Sequence, residues 1–355
     1  MSNTEKVKKV HPLFYPFAKI YYHLIEIPKF KILQWWHENN YYESVIQPPE
    51  VTGIQAGAEL QAIPDRQIIQ SANFDNPMPV PMLPAEIHNK SMGLVFSAGI
   101  GLDRQPVLID LACAPHLLGA GGSGSGKSIF AHSMLCQLIA GYSKDLMELI
   151  LCDLKGGVEF QFYKNAPNVE RPIARNVDDA SNLINYLIQE MERRNALFEE
   201  RGCRDVIRFN SKFPSEYMRR IVFVIDEYYD IVANGEELGL EGKIEELMRK
   251  SRSCGMHVIL LTQRPDRETV HPRIRANANA VVCLKTSTAV NSRVILGVSG
   301  AEKLRGKGHM LIRSPSGEIK EAQGHNVTDD ELDQMAAIFA KAKKLQYNDA
   351  FNKEK

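Results

Sequence analysis

Short apolar runs at residues 107–109, 149–152, 221–225, 257–261 and 280–284 punctuate the stretch from about residue 91 to residue 325. Amphipathic segments of helix length separate them. Such runs predict strands buried on both faces, and the spacers predict crossover helices, so the pattern is that of an α/β fold with a mainly parallel sheet flanked by helices. Residues 1–90 read differently. Trp35, Trp36, Tyr41 and Tyr42 cluster there, and Pro48-Pro49 and Pro77-Met78-Pro79-Val80-Pro81 break the text into turns and extended links. At the other end, Thr328-Asp329-Asp330-Glu331 is a capping box that opens a helix running toward Lys344. Three zones follow: a small N-terminal domain or docking region (1–90), the α/β domain (91–325), and a C-terminal helix and tail (326–355).

Composition narrows the classes. The 355 residues are 44% hydrophobic and 24% charged, which excludes wholesale disorder. Lys+Arg and Asp+Glu balance at 43 each, so any nucleic-acid contact must come from local basic patches. That argues against a DNA-coating protein and is neutral for a ring that grips DNA through its pore. Cys113, Cys136, Cys152, Cys203, Cys254 and Cys283 stand far apart with no metal spacing, as free thiols in a reducing cytosol do. His11, His23 and His37 have no ligand spacing either. No apolar stretch reaches about 18 residues and no cleavable leader is visible, so a soluble cytoplasmic protein is expected.

The chemistry begins at Gly121-Gly122-Ser123-Gly124-Ser125-Gly126-Lys127-Ser128, a complete G-x-x-x-x-G-K-S. Glycines let the backbone curl so that several N–H groups converge on one phosphate, and the following helix adds its positive end. Lys127 is placed for the β- and γ-phosphates and Ser128 for Mg²⁺. A glycine-rich linker is the bland alternative; the strand pattern of His116–Ala120 before the loop and the helical pattern after it count against that. The run 221–225 ends in Asp226-Glu227. Acids often merely cap strand ends, but downstream of a P-loop Asp226 suits the Mg²⁺ shell and Glu227 suits polarising a water. Asp153 ends another strand, and Gln263 follows a fourth. Because ligands lie at the carboxyl ends of parallel strands, Gln263 is a candidate γ-phosphate sensor, with a surface amide as the competing reading.

At these stretches the chain resembles the FtsK/SpoIIIE family of DNA translocases. The matching blocks are P-H-L-L-x-A-G-x-x-G-S-G-K-S at 115–128, D-x-K-G-x-x-E at 153–159, E-M-E-R-R at 190–194 and the Asp226-Glu227 strand. G-M-H-V-I-L-L-T-Q-R-P at 255–265 and G-A-E-K-L-x-G-K-G-x-M-L at 300–311 complete the series. The resemblance implies a RecA-like P-loop NTPase using ATP and Mg²⁺, assembled as a homo-hexamer around double-stranded DNA without sequence choice. It also implies an arginine supplied by a neighbouring subunit.

Some positions depart from the family pattern. The usual arginine position falls on Val281, so the trans arginine is sought elsewhere, with Arg275 and Arg293 as candidates. His309 stands where an Asp is usual. Neither membrane helices nor a winged-helix domain is visible, and the short form resembles motors of conjugative elements. Arg171, Arg175, Arg264, Arg267, Arg273, Arg275, Lys303, Arg305 and Lys307 are candidate DNA contacts, each set against an ordinary solvated charge. Arg193 and Arg194 read as partners of Glu190 or Glu192. The aromatic cluster at Trp35 and Trp36 reads as a small core, with docking to a membrane or relaxosome protein, or to lipid, as alternatives. The expected function is a DNA translocase in conjugative transfer or segregation. Its alternatives are a motor for protein cargo, as in type VII secretion, and an ATP-dependent scaffold.

Overall fold

The computed structural model describes residues 78–79 and 93–353; the Trp35/Trp36 cluster, His11, His23, His37 and the other features of the first zone lie outside them. A nine-stranded sheet runs in the order β3-β2-β10-β9-β8-β4-β7-β6-β5. Its strands are β2 (Val95–Gly101), β3 (Pro106–Asp110), β4 (His116–Ala120), β5 (Met147–Asp153), β6 (Arg220–Asp226), β7 (Met256–Thr262), β8 (Ala280–Leu284), β9 (His309–Arg313) and β10 (Ile319–Gln323). The pairs β8–β4, β4–β7, β7–β6 and β6–β5 are parallel. The remaining pairs, from β8–β9 out to β2–β3, are antiparallel. Two-residue strands β1 (Met78–Pro79) and β11 (His325–Asn326) pair separately.

Four of the five apolar runs form the parallel half. The fifth, at 107–109, lies instead on antiparallel edge strand β3, where Ile109 is buried, Leu108 is exposed and the other residues are partly buried. An edge strand covered on one face needs less apolar sequence than a central one.

Every residue of β4, β5, β6, β7 and β8 is buried. Alternation along each strand divides them between two cores. Leu117, Leu149, Val222 and Val282 join Phe130 and Met134 of α1 (Lys127–Gly141) and Leu332, Met335 and Phe339 of α8 (Asp329–Lys353). Leu118, Ile150, Phe223 and Cys283 join the opposite layer. That layer is built from α2 (Val177–Arg201), α3 (Val206–Lys212), α4 (Tyr228–Asn234), α5 (Leu240–Lys250), α6 (Pro272–Asn277) and α7 (Ala289–Leu296).

The helix ends obey local rules. Thr328 and Glu331 exchange side-chain and main-chain hydrogen bonds, closing the capping box of α8. Asn176 caps α2 by accepting from the Asp179 N–H, and Gly202 ends that helix in the left-handed region. Glu190 takes both Arg193 and Arg194 as ion-pair partners, and Arg194 also donates to the carbonyls of Arg219 and Cys254. The E-M-E-R-R block thus fastens α2 to strand ends.

Candidate nucleotide site

Strand β4 lies between β8 and β7, and its chain turns at the carboxyl edge of the sheet into the glycine loop and α1. Three main-chain contacts hold the loop to neighbouring strands. Gly121 N–H donates to Thr262 O (3.2 Å), Gly122 N–H to Lys285 O (2.9 Å), and Gly308 N–H to Ser125 O (2.8 Å). Gly126 has φ 103°, and a Cβ there would lie 2.4 Å from Gly308 N, so this position requires glycine on both counts. Helix α1 begins at Lys127, leaving its first-turn N–H groups without intrahelical acceptors and turned toward the loop.

Register brings the acids to the same edge: Asp153 ends β5 directly opposite Asp226 at the end of β6. Lys127 and Asp226, both nearly fully buried, form an ion pair across the mouth of the loop. The second Asp226 oxygen, Oδ2, is buried with no partner among the described residues, as is Ser125 Oγ in the loop itself. An orphaned carboxylate oxygen at the phosphate edge suits a hard divalent cation, which takes oxygen ligands. No group of three or more His, Cys, Asp or Glu side chains suited to a metal occurs among the described residues. Mg²⁺ itself is commonly held by one or two protein oxygens together with phosphates and waters.

Glu227 follows immediately, with φ 62° and ψ 70°, a left-handed conformation at the entry to α4. Its carboxylate accepts from Thr262 Oγ1 (3.0 Å), from the Gln263 N–H (3.0 Å) and from Lys155 Nζ (3.3 Å). Gln263 therefore stands beside Glu227 and touches it through the main chain. Burial, followed by the negative charge of Glu227, raises the Asp230 carboxyl above its ordinary value.

Sequence reasoning quoted but did not assign Lys155 and Glu159. The Asp153 carboxylate accepts main-chain N–H groups of Lys155 (3.1 Å), Glu159 (2.8 Å) and Phe160 (3.3 Å), so the strand-end acid shapes the loop that carries them. Glu159 accepts from Ser128 Oγ at 3.2 Å, and His132 Nε2 lies 3.5 Å from its other oxygen. Hydrogen bonding by His132 holds the Glu159 carboxyl below its ordinary range, against the opposing effect of burial. The signal was present in D-x-K-G-x-x-E, a lysine and an acid just past a strand that ends at the phosphate edge.

The arginine candidates lie elsewhere. Val281 is fully buried in β8, facing Leu118 and Arg313 in register. Arg275 and Arg293, together with Arg267, line a cavity of about 300 Å³ between α6 and α7. The Arg275 guanidinium donates to Val294 O at 2.7 Å. Several basic candidates have structural partners: Arg171 pairs with Glu148 and covers the Tyr186 ring, Arg264 stacks on Tyr229, and Arg273 lies 3.7 Å from Glu245. His309 binds Glu321 at 2.6 Å and accepts the Arg305 N–H.

The sequence profile of the FtsK/SpoIIIE family matches residues 82–267, which include the glycine loop, the Asp226-Glu227 pair and Gln263. The chain belongs to the FtsK/SpoIIIE family. It carries the P-loop ATPase domain of that family, with the doubly covered sheet described above. A DNA translocase FtsK of Caldanaerobacter subterraneus subsp. tengcongensis is 36% identical over 244 residues, covering 67% of this chain and 34% of that protein. DNA translocase SftA of Bacillus subtilis is 31% identical over 301 residues, 83% of this chain and 30% of that one. The chain thus spans about a third of the length of these curated relatives. Among solved structures, the pCW3 conjugation coupling protein TcpA, determined with ATPγS, has a TM-score of 0.64 and 27% identity, covering 76% of this chain and 74% of that one. The type VII secretion ATPase EccC of Thermomonospora curvata, at 20% identity and TM-score 0.61, shares the fold over 72% of this chain and 32% of its own.

Proposed function

We propose that this chain hydrolyses ATP with Mg²⁺ to move DNA, as a homo-oligomeric, hexameric motor serving transfer of a conjugative element. The observation that carries this reading is the convergence of Lys127, Ser128, Asp226 and Glu227 at one edge of the sheet, in a family whose curated members include DNA translocases. Likeness to a conjugation coupling protein supports the choice of conjugation. No helix among the described residues is long and apolar enough to cross a membrane. The reading has a cytoplasmic motor recruited by a membrane or relaxosome protein through residues 1–90. Double-stranded DNA, gripped through phosphates without sequence choice, is the proposed substrate.

In this reading the loop N–H groups of Gly121 to Gly126 wrap the phosphates, and Lys127 leaves Asp226 to contact the β- and γ-phosphates. Ser128 and Asp226 would hold Mg²⁺, which when bound would supply positive charge to the phosphates. Glu227 orients the attacking water once Lys155 releases it. Gln263, tied to Glu227 through its N–H, reports the loss of γ-phosphate to the loop that leads into α6. A neighbour's Arg293 or Arg275 completes the site in trans.

The test is ATP hydrolysis by wild type and Lys127→Ala, with and without long double-stranded DNA, at low and moderate salt. Strong stimulation by DNA, weakened by salt and abolished by the substitution, is expected. A basal rate indifferent to DNA at every salt concentration would leave an ATPase with another cargo.

A further inference from the structure

Ser128 presents a hydroxyl that must offer a lone pair to the cation while its own proton points somewhere else. In many polar sites that proton has water or a nearby main-chain carbonyl. Here it has a carboxylate: Ser128 Oγ donates to Glu159 Oε1 at 3.2 Å.

Glu159 is itself held from three sides. Its N–H is fixed to Asp153 Oδ2 at 2.8 Å, and its Oε2 faces His132 Nε2 at 3.5 Å. His132 Nδ1 lies 3.0 Å from Tyr163 Oη, which lies 3.7 Å from Cys136 Sγ. These side chains, Glu159 apart, are buried, so their few protons have defined destinations. With the imidazole proton on Nε2, directed at Glu159, Nδ1 must accept from the Tyr163 hydroxyl, while the Cys136 thiol donates to Met335 Sδ at 3.6 Å. The Tyr163 and His132 donors then both point toward one carboxylate.

We infer that Glu159, oriented by His132, is a positioning residue that accepts the Ser128 hydroxyl hydrogen bond and thereby aims the serine lone pair at the cation site. This deepens the nucleotide-site reading and rests on it. Outer residues that orient a metal ligand typically alter metal affinity about 10- to 100-fold when removed. Truncating Glu159 leaves the glycine loop and Lys127 in place, so phosphate binding without metal should persist.

The experiment titrates Mg²⁺ against binding of a fluorescent, non-hydrolysable ATP analogue by the full chain, with an excess-chelator arm. In chelator, Glu159→Ala is expected to bind the analogue as wild type does. Its Mg²⁺ midpoint is expected to rise about tenfold. Glu159→Gln keeps a carbonyl acceptor for the hydroxyl and should recover most of that shift, while His132→Phe should produce a smaller shift in the same direction. An unchanged midpoint in Glu159→Ala overturns the inference. So does equal weakening with and without Mg²⁺, since that describes a general contribution to the site. Lys127→Ala separates the two readings: if it binds the analogue as wild type does, the nucleotide site itself has been misplaced.

Discussion

Glu227 occupies a backbone conformation that residues bearing a Cβ seldom adopt, at φ 62°. Strain of this kind persists where surrounding contacts over-determine it, and Thr262, Gln263 and Lys155 supply those contacts. Replacing the acid by its amide keeps an oxygen for Thr262 and for the Gln263 N–H but removes the negative charge that draws Lys155 and activates water. Glu227→Gln should therefore bind ATP at least as tightly as wild type and lose about a hundredfold or more in turnover. Stopped nucleotide release together with the hydrolysis rate measures both; unchanged turnover would remove Glu227 from the catalytic role. At this scale the sequence announced Asp226 and Glu227 plainly, because both stand at the end of an uninterrupted apolar run. Lys155 and Glu159 were harder to assign. Their place in the site depends on Asp153 folding the following loop back through three main-chain N–H groups, and no spacing rule states where a loop returns.

Among the elements, the parallel strands were legible for the reason that makes them stable: helices cover both faces, so hardly a polar residue interrupts β5, β6, β7 or β8. Strand β10 was not, since its sequence, Ile-Lys-Glu-Ala-Gln, is half exposed and carries its ladder by backbone pairing. The central strands also hide two imidazoles. His116 on β4 accepts the Val258 N–H, and burial lowers its pKa to about 4. On β7, His257 contacts the Pro115 carbonyl and Arg220, and burial, then the Arg220 charge, holds it well below its ordinary value. An unfolded chain protonates both near 6.5, the folded chain only at lower pH. Between those values the unfolded state binds more protons, so this stability is complete above pH 6.5 and lost as pH falls toward 4. For His116 the loss over the full window is on the order of 3 kcal/mol. Glu170, held low by its hydrogen bond from Arg219, adds its own loss only as pH falls through 4.5 and below. Thermal melts across this range should show the midpoint falling before the carboxylates titrate, and His116→Asn, which keeps an acceptor near Nδ1 but no ionisable ring, should flatten that first segment. A melting midpoint that is level from pH 6.5 to 4.5 in wild type would show that the imidazoles do not control it.

For the whole molecule, the question is how one subunit's site depends on another. An arginine at position 281 would have to replace a fully buried valine between β4 and β9, at the cost of the central core. The cavity between α6 and α7 offers the cation without that cost: Arg267, Arg275 and Arg293 share its lining with Val270, Pro272, Val290 and Val294. Arg275 is committed through its guanidinium to the Val294 carbonyl, which ties α6 to α7, whereas Arg293 and Arg267 make no such hydrogen bond among the described residues. Arg293 is thus the better candidate for the trans arginine, and Arg275 the better brace. If Arg293 acts across an interface, Arg293→Ala and Lys127→Ala should each be inactive in DNA-stimulated hydrolysis, yet recover activity when mixed. An interface that joins an intact phosphate site from the first variant to an intact arginine from the second is whole, and roughly one interface in four has that composition in an equal random mixture. Arg275→Ala mixed with Lys127→Ala should recover less, because a loosened α6–α7 contact is a defect within the subunit that bears it. Failure of the Arg293→Ala mixture to recover, with both variants shown to co-assemble, would place the stimulating cation outside this cavity.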